Sequence, residues 1–545
     1  MKHIMKRVLA LSLVAVQGMA FADTNNRLFY TARPHLSNMP MTLGTFFSAA
    51  NQDNPGFGGA FQATAFYEQS TDAAKAGKFF SFTDKNNFKI AGTLNAAAAD
   101  ADALPGNFAL DTAYNGKITF NPKRTSYGVH LNYQQDLTNV LENLYMTAAA
   151  PVVTVEHSMG MKEEATAGVI KFADVMAGGR LTSDFSEPVK YAKINGTQRV
   201  TGLADAQLGL GYRFMNSDRF RLQGEVHATV PTGANPTGTK MFEATVGNNG
   251  HWALGAGLGG RMNVWQNQEN EDNRLSVWLN ADLKYLFENN QVRTLGLKDK
   301  AGAQFARMRQ QDQANALNVL ANSVPGVNAM SRAVRVTPGV LAEGMVWGDY
   351  TWNAWKFGAG YNVFGRQAET VKLAGKLADG GTYGLTAALI PVAAGQIPGA
   401  NFIAVPGIIP ININLGAAGQ LENQAGSVFT LTSQIESGLA AHAVAVVVGG
   451  AGAPAGAVQS TSDIKTNAFI AGGAAGQTDG TFIADANLDM LAQKSAISHK
   501  VAGQVSYSLN TDNPSYLGLG GGYEFAGSND LMSGFQVWAK FGITF

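Results

Sequence analysis

The sequence predicts an all-β chain closed as a transmembrane antiparallel β-barrel of about twelve strands, with fourteen the alternative. Three observations predict it. Segments of roughly ten residues alternate apolar and polar side chains with a period of two, which puts one kind on each face of a strand. The connections between these segments sort by parity into short and long. The chain also starts with an export-type leader and stops inside a strand pattern, "QVWAKFGITF".

The N-terminal stretch "MKHIMKRVLALSLVAVQGMAFADTNN" carries Lys2, Lys6 and Arg7, then an apolar run from Val8 to Val16, then Ala20-Phe21-Ala22 before Asp23. A basic start, a short apolar core and a small-x-small site are the marks of a secretory signal peptide over 1–22. The run is too short to anchor the chain. Residues 23–57 follow as an N-terminal segment lying in the periplasm or the lumen, and 58–545 form the barrel. No Cys occurs, so neither disulfides nor a lipidated cysteine enter the argument. Without Lys2, Lys6 and Arg7 the chain holds 37 basic against 40 acidic residues, a balance that excludes a nucleic-acid partner. Charged residues make up 15%, glycines number 63, and mean hydropathy is −0.05. After the leader no apolar run is long enough for a membrane helix.

The clearest pair of strands is "DAQLGLGYRF" and "RFRLQGEVHATV", separated by "MNSD". Leu208, Leu210, Tyr212 and Phe214 share one face of the first, and Phe220, Leu222, Val226, Ala228 and Val230 one face of the second. "HWALGAGLGGRMNVW", "RLSVWLNADLKYLFE", "NAWKFGAGYNVF", "KVAGQVSYSL" and "YLGLGGGYEF" repeat the pattern. Gly59–Glu68, Thr125–Gln135, Tyr145–His157 and Val334–Val346 are fainter. With the last strand these total twelve. The connections "DLTNVLEN", "MNSD", "NQENEDN", "WGDY" and "NTDNP" are turn-like, and all but one of the alternate ones are long. A barrel with both termini on the periplasmic side needs this sorting into short periplasmic turns and long extracellular loops. Tyr212, Phe214, Phe220, Trp265, Trp347, Trp355, Tyr507, Tyr516, Phe541 and Phe545 are expected at the periplasmic interface as an aromatic belt.

On this register Arg213, Arg221, Gln223, Glu225, His227, Arg261, Asp282, Lys284, Lys500, Glu524 and Lys540 line the pore, and His130, His227 and His499 point inward. Mixed charge on the inner face reads either as a wetted pore with ion preference or as a salt-bridged, plugged interior. A barrel of about twelve strands sits between the filled and the open sizes. Gly255, Gly257 and Gly260 match a dinucleotide fingerprint, but they lie within an alternating strand and read as room-making glycines. No cofactor or metal site is expected. The loop 365–496 is Ala/Gly-rich and poor in charge, and reads as a lid, a surface for adhesion or an oligomer contact. Phe305, Met308, Leu317 and Leu320 are loosely helical in spacing, which predicts a surface helix on the rim.

The stretch "ATVPTGANPTGTKMFEATVGNNGHWALGAGLG", with "YLFENNQVRTLGLKDK" and "GYNVFGRQAETVKL", resembles uncharacterised outer-membrane barrels of host-associated Gram-negative bacteria. The "VPTG" loop is similar to that of hydrophobic-compound channel barrels. The pattern Phe541, Ile543, Phe545 resembles the C-terminal assembly signal of outer-membrane barrels. The resemblance implies a cell outer-membrane location and a porin-like role. The implied partners are outer-membrane lipid and lipopolysaccharide, the barrel-assembly machinery and small solutes, with a homo-oligomer left open.

The expected function is a porin-like channel for passive diffusion of small solutes. The alternatives are a structural or adhesive barrel with a plugged pore and, behind it, a barrel hydrolase. The phospholipase barrels need His and Ser two apart on one face. "EVHAT" offers His227 and Thr229, and "EHSM" puts Ser158 beside His157 on the other face. The chain is therefore not expected to be an enzyme.

Overall fold

The computed structural model describes residues 28–44, 58–91 (without 82 and 84), 101–179 (without 104 and 112), 187–297 (without 218, 271 and 272), 303–310 (without 306), 323–374, 383–385, 486–487, 491–509, 515–527 and 531–545. The leader over 1–22 and most of the loop 365–496 lie outside the described residues, as do residues 45–57 of the N-terminal segment.

Twelve strands form the wall: β1 Gly59–Ser70, β2 Lys123–Asp136, β3 Leu144–Ser158, β4 Ala206–Asn216, β5 Phe220–Val230, β6 Ala253–Gln266, β7 Arg274–Leu286, β8 Gly339–Trp352, β9 Trp355–Arg366, β10 Ala496–Ser508, β11 Ser515–Ala526 and β12 Gly534–Thr544. Each pairs antiparallel with its neighbours in sequence, and β12 pairs with β1 to close the ring. Closure follows from the bilayer, where an unpaired strand edge would leave backbone groups without water or partner. The last residues make that seam: Ile543 sits opposite Phe61, and Gly59 and Phe545 exchange N–H···O bonds of 2.7 and 3.0 Å.

The outer face is apolar and exposed throughout, with Leu208, Leu254, Leu283, Leu519 and Val537 each at least half exposed. An apolar band of that extent belongs in lipid. The two ends differ as the parity of the connections requires. The C-terminus, the start of β1 and the short connections after β2, β4, β6, β8 and β10 mark the periplasmic end, and long segments mark the other.

Beyond the outer rim those long segments pack on one another. Phe80, Phe88, Phe108, Phe120, Phe172, Met241, Phe242, Met330 and Val334 belong to one buried cluster outside the barrel. Small sheets frame it, among them Asn289–Thr294 with Ser331–Thr337 and Thr370–Leu373. The largest apolar core therefore lies in a cap over the mouth.

The wall has one break. Thr197–Leu203 pairs with the outer half of β3 and β4 with its inner half, so the two pieces make one wall strand interrupted at Ala204 and Asp205. Asp205 takes φ +63° there, and its carboxylate accepts from Asn248 N at 2.5 Å. This tucks the segment 231–250 against the break, where Val246 packs with Val153, Val155 and Ala204.

Four expectations need correction. The strand expected over Val334–Val346 is two strands, Ser331–Thr337 in the cap and β8 in the wall. Pro338 cannot donate to a ladder and Gly339 takes φ +76°, so the chain turns between them. "WGDY" then lies inside β8, and the turn is Asn353-Ala354. Trp347 and Tyr516 face the lumen, each only 2% exposed, because glycines on the adjacent strands leave them space. A Cβ on Gly358 or Gly360 would lie 2.6 or 2.5 Å from the Trp347 ring. His499 shares the parity of Val501 and points outward, where its Nδ1 meets the Tyr361 hydroxyl at 2.6 Å. Of the expected rim helix, Ala303–Phe305 is a single 3₁₀ turn and Arg307–Gln310 a strand, while Leu317 and Leu320 lie outside the described residues.

Candidate functional site

The lumen is where the strands bring the polar residues together. Because the strands are in register, lumen-facing side chains stack in rows around the wall. Arg221, Arg261, Trp278 and Trp347 are directly opposite in one row. One rung outward come Gln223, Gly259, Asn280, Met345, Asn362, Lys500 and Glu524. Glu225, Gly257, Asp282 and Glu343 follow, then His227, Gly255 and Lys284.

The glycines are what make this packing fit. A Cβ on Gly255 would collide with His227 Nε2, and one on Gly211 with the Tyr145 ring. The "GAGLGG" run is thus room for inward side chains of the neighbouring strands.

Residues 28–44 enter this space as a plug. Its outer end is tied to the cap: Gln493 Nε2 donates to Phe29 O at 2.6 Å, and Arg366 Nη1 to Thr31 O at 2.5 Å. The Arg293 guanidinium sits 4.2 Å from the Phe29 ring centre and 2.5 Å from Glu369. Burial pushes the Glu369 carboxyl up, but Arg293 and the Gln493 N–H more than offset this and hold it below the usual carboxylate range.

Midway, Arg33 is the main anchor. Its Nη2 lies 2.5 Å from Glu343 Oε1 and 2.7 Å from Asn362 Oδ1, and its Nη1 lies 3.3 Å from Glu524. Met39–Thr42 is one helical turn with Pro40 in its first positions, where the missing N–H costs nothing. Wall side chains serve its free carbonyls. Lys284 donates to Leu36 O at 3.2 Å, and Lys540 to Pro40 O and Leu43 O at 3.2 and 3.1 Å. Asn38 joins Gln536 and Lys500 at 3.0 and 3.2 Å. His35 Nε2 lies 2.8 Å from Ser126 Oγ and 3.5 Å from Arg124.

All eleven sequence-derived lumen residues lie on the inner face, in five places. Arg213 pairs with Asp136 at 3.1 Å, both side chains 1% exposed, and stacks on Tyr145. Glu225, His227, Asp282 and Lys284 form a chain of contacts of 3.7, 3.4 and 3.4 Å. Lys500 pairs with Glu524 at 2.9 Å. Arg221, Gln223 and Arg261 sit together toward the periplasmic end, and Lys540 donates to Pro40 O and Leu43 O of the plug. Arg33, His35, Asn38, Glu343 and Asn362 are absent from the sequence-derived set. Glu343 and Asn362 alternate correctly within their strands and were legible. Nothing in the pattern of 28–44 marks it as a plug.

The plug fills the β9–β12 and β1 side of the barrel. Beside it remains a cavity of about 290 Å³, bounded by Leu36, Met39 and Leu43 of the plug and by Gln223, Asn280 and Asp282 of the wall. That size is at the lower end of pockets that hold drug-sized ligands, about 300–1,000 Å³. Both charge signs and several amides face it, so the cavity suits a small polar or amphipathic solute rather than bulk lipid.

No protein-family model matches the chain, and no curated protein matches it. Among solved structures the chain is similar to an outer membrane channel from Pseudomonas putida F1, at 10% identity and a TM-score of 0.37, covering 91% of this chain and 99% of that one. It is also similar to a Pseudomonas aeruginosa FadL homologue, at 8% identity and a TM-score of 0.26 over 97% and 99% of the two chains. The β domain of the Bordetella autotransporter BrkA matches at 7% identity and 0.27 over 90% and 100%. With identities near a tenth and such scores, the fold rests on the closed twelve-strand ladder itself: the chain is a transmembrane β-barrel with a plugged and capped lumen.

Proposed function

We propose that the protein is an outer-membrane channel that passes small solutes by diffusion without catalysis, through a lumen the 28–44 segment occludes at rest. The observation that carries this is the cavity of about 290 Å³ beside the plug, walled by Gln223, Glu225 and Asp282. The plug is held mainly by ion pairs and hydrogen bonds to wall side chains, which water can replace when it moves. A plug built as a permanent core would be held by apolar burial instead. An outer membrane channel from Pseudomonas putida F1 and a toluene transporter from Ralstonia pickettii are among the solved structures the chain is similar to.

The test is single-channel conductance of the leader-free chain in a planar bilayer, beside a variant lacking 28–44. The expected result is brief or small openings for the first and steady conductance for the second, with Arg221→Glu shifting ion preference in the open variant. Silence from both would remove the reading. The second reading, a structural or adhesive surface barrel, is favoured by the cap, whose buried cluster of Phe80, Phe88, Phe172 and Phe242 is a core of its own. Silence together with a cell-surface binding defect on removing the outer loops would support it.

A further inference from the structure

We propose that the cavity beside the plug is a binding site for a neutral polyhydroxylated solute the size of one sugar ring, a proposal that rests on the channel reading above and names the solute class it would pass. Charge, hydrogen-bonding capacity and shape of the lining each point to it.

The charges of the lining cancel. Arg221, Arg261 and Lys284 line the cavity together with Glu225, Asp282 and Glu343, three of each sign. The acids have partners within the protein: Asp282 meets Lys284 at 3.4 Å, Glu343 meets Arg33 of the plug, and Glu225 lies 3.7 Å from His227. Such a lining gives neither a cation nor an anion a net attraction, while a charged ligand still loses hydration on entry.

The uncharged groups are unusually many. Asn132, Gln134, Gln207, Gln223 and Asn280, from β2, β4, β5 and β7, all line the same space. A carboxamide offers an acceptor and two donors whichever way it is turned. As the amides are assigned, Asn132 Nδ2, Asn280 Nδ2 and Gln207 Oε1 are buried with no hydrogen-bond partner among the described residues. Unmet donors and an unmet acceptor around one cavity match hydroxyl groups, which both donate and accept. A carboxylate serves only the donors, and an ammonium only the acceptor.

The floor is open backbone. Gly255 and Gly259 make room for the side chains of His227 and Asn280. At Gly257 a Cβ would come no nearer than 3.4 Å to any residue other than its chain neighbours, so no protein atom fills the space above it. A strand glycine of this kind marks close approach of a ligand. Trp278, its Nε1 bonded to Asp349, and Tyr145 line the same cavity and offer ring carbon to the C–H face of a sugar ring.

The test uses the full leader-free chain in a detergent without a sugar headgroup. It is titrated calorimetrically at fixed ionic strength with glucose, galactose and mannose, and with glucuronate, glucosamine and cyclohexanol. The best of the three neutral hexoses should bind about tenfold or more tightly than the charged sugars or cyclohexanol, as expected when a ligand brings an unpaired charge or leaves the amides unmet. Gly257→Val puts methyl groups into the cavity from a position where Cβ itself fits, and should weaken hexose binding about tenfold or more. Its folding is checked by resistance to SDS before boiling, and the ligand comparison on the unaltered chain stands even if the variant does not fold. No binding by any neutral hexose, a charged sugar or cyclohexanol bound as tightly as the best of them, or hexose binding unchanged in a folded G257V barrel would overturn the proposal. Hexose preference in a barrel that stays silent in bilayers, with and without 28–44, would keep the site and remove the channel. Conductance without hexose preference would do the reverse.

Discussion

Arg33→Ala should release the plug, and the structure sets how far. Arg33 reaches three wall residues at once, Glu343, Asn362 and Glu524, and its side chain is 9% exposed. Removing one partner of a buried ion pair costs about 3–5 kcal/mol, because the remaining charge stays buried. The lower end applies here. Glu524 retains Lys500 at 2.9 Å, and Glu343 retains the Met39 N–H and the Asn362 amide at 2.8 and 2.9 Å. A loss of about 3 kcal/mol raises the undocked population on the order of a hundredfold. The chain has no cysteine, so a single Cys placed at Met41 reports undocking without background. Met41 is wholly buried against the wall, so a maleimide reaches it only when the segment leaves. If undocking precedes labelling and is reversible, the rate follows the open population. M41C should label slowly and R33A/M41C on the order of a hundred times faster, with conductance rising in parallel. Equal labelling rates in the two would show that Arg33 does not hold the plug, and would refute the argument from its contacts.

Three further outcomes follow from the same geometry. Gly211→Ala puts a methyl into the Tyr145 ring, which stacks on Arg213, and should lower barrel stability by about 1–3 kcal/mol in urea unfolding. Glu369 has a folded-state pKa below its ordinary value of 4.5 because Arg293 overcomes its burial. Its contribution to the cap is therefore full above that value and lost as pH falls through the folded one, so pepsin, which works in that range, should cut the cap faster as pH falls below 4.5, relative to its rate on an unfolded control, a pH dependence that Glu369→Gln should flatten. Deleting Phe545 removes both backbone bonds to Gly59 and the stack on Tyr133, and should lower the fraction of chain recovered as folded, SDS-resistant barrel.

Much of the wall was legible because lipid enforces a strict rule. Each wall strand must put apolar side chains outward, so Leu208, Leu210, Leu254, Leu283 and Val537 declare their face by parity alone. The alternating segments gave the strand count, and the sorting of short and long connections supported it and gave the sidedness. The rule fails where glycine blurs the alternation. Trp347 beside Gly358 and Gly360, and Tyr516 over Gly542, looked like belt residues and turned inward, since an aromatic ring can fill the lumen wherever the neighbouring strand lacks side chains. His499 was misplaced because Tyr361 offers it a polar partner on the outer face.

The sequence by itself determined the closed barrel, which face of most wall strands meets lipid, and eleven of the lumen's polar residues, because those follow from period-two patterning and from the requirement that no strand edge meet lipid unpaired. The tertiary structure decided what the charges are for. That Arg33 answers Glu343, 310 residues away in sequence, and the still more distant Glu524 depends on a segment with no periodic signature threading a space it does not help to form. That Phe80, Phe88, Phe172 and Phe242 meet depends on loops of unrelated sequence converging over one mouth. Local patterning records which way a side chain faces. Which distant group meets it is set by closure of the wall, which brings twelve strands around one lumen and leaves space there for the plug and the cavity beside it.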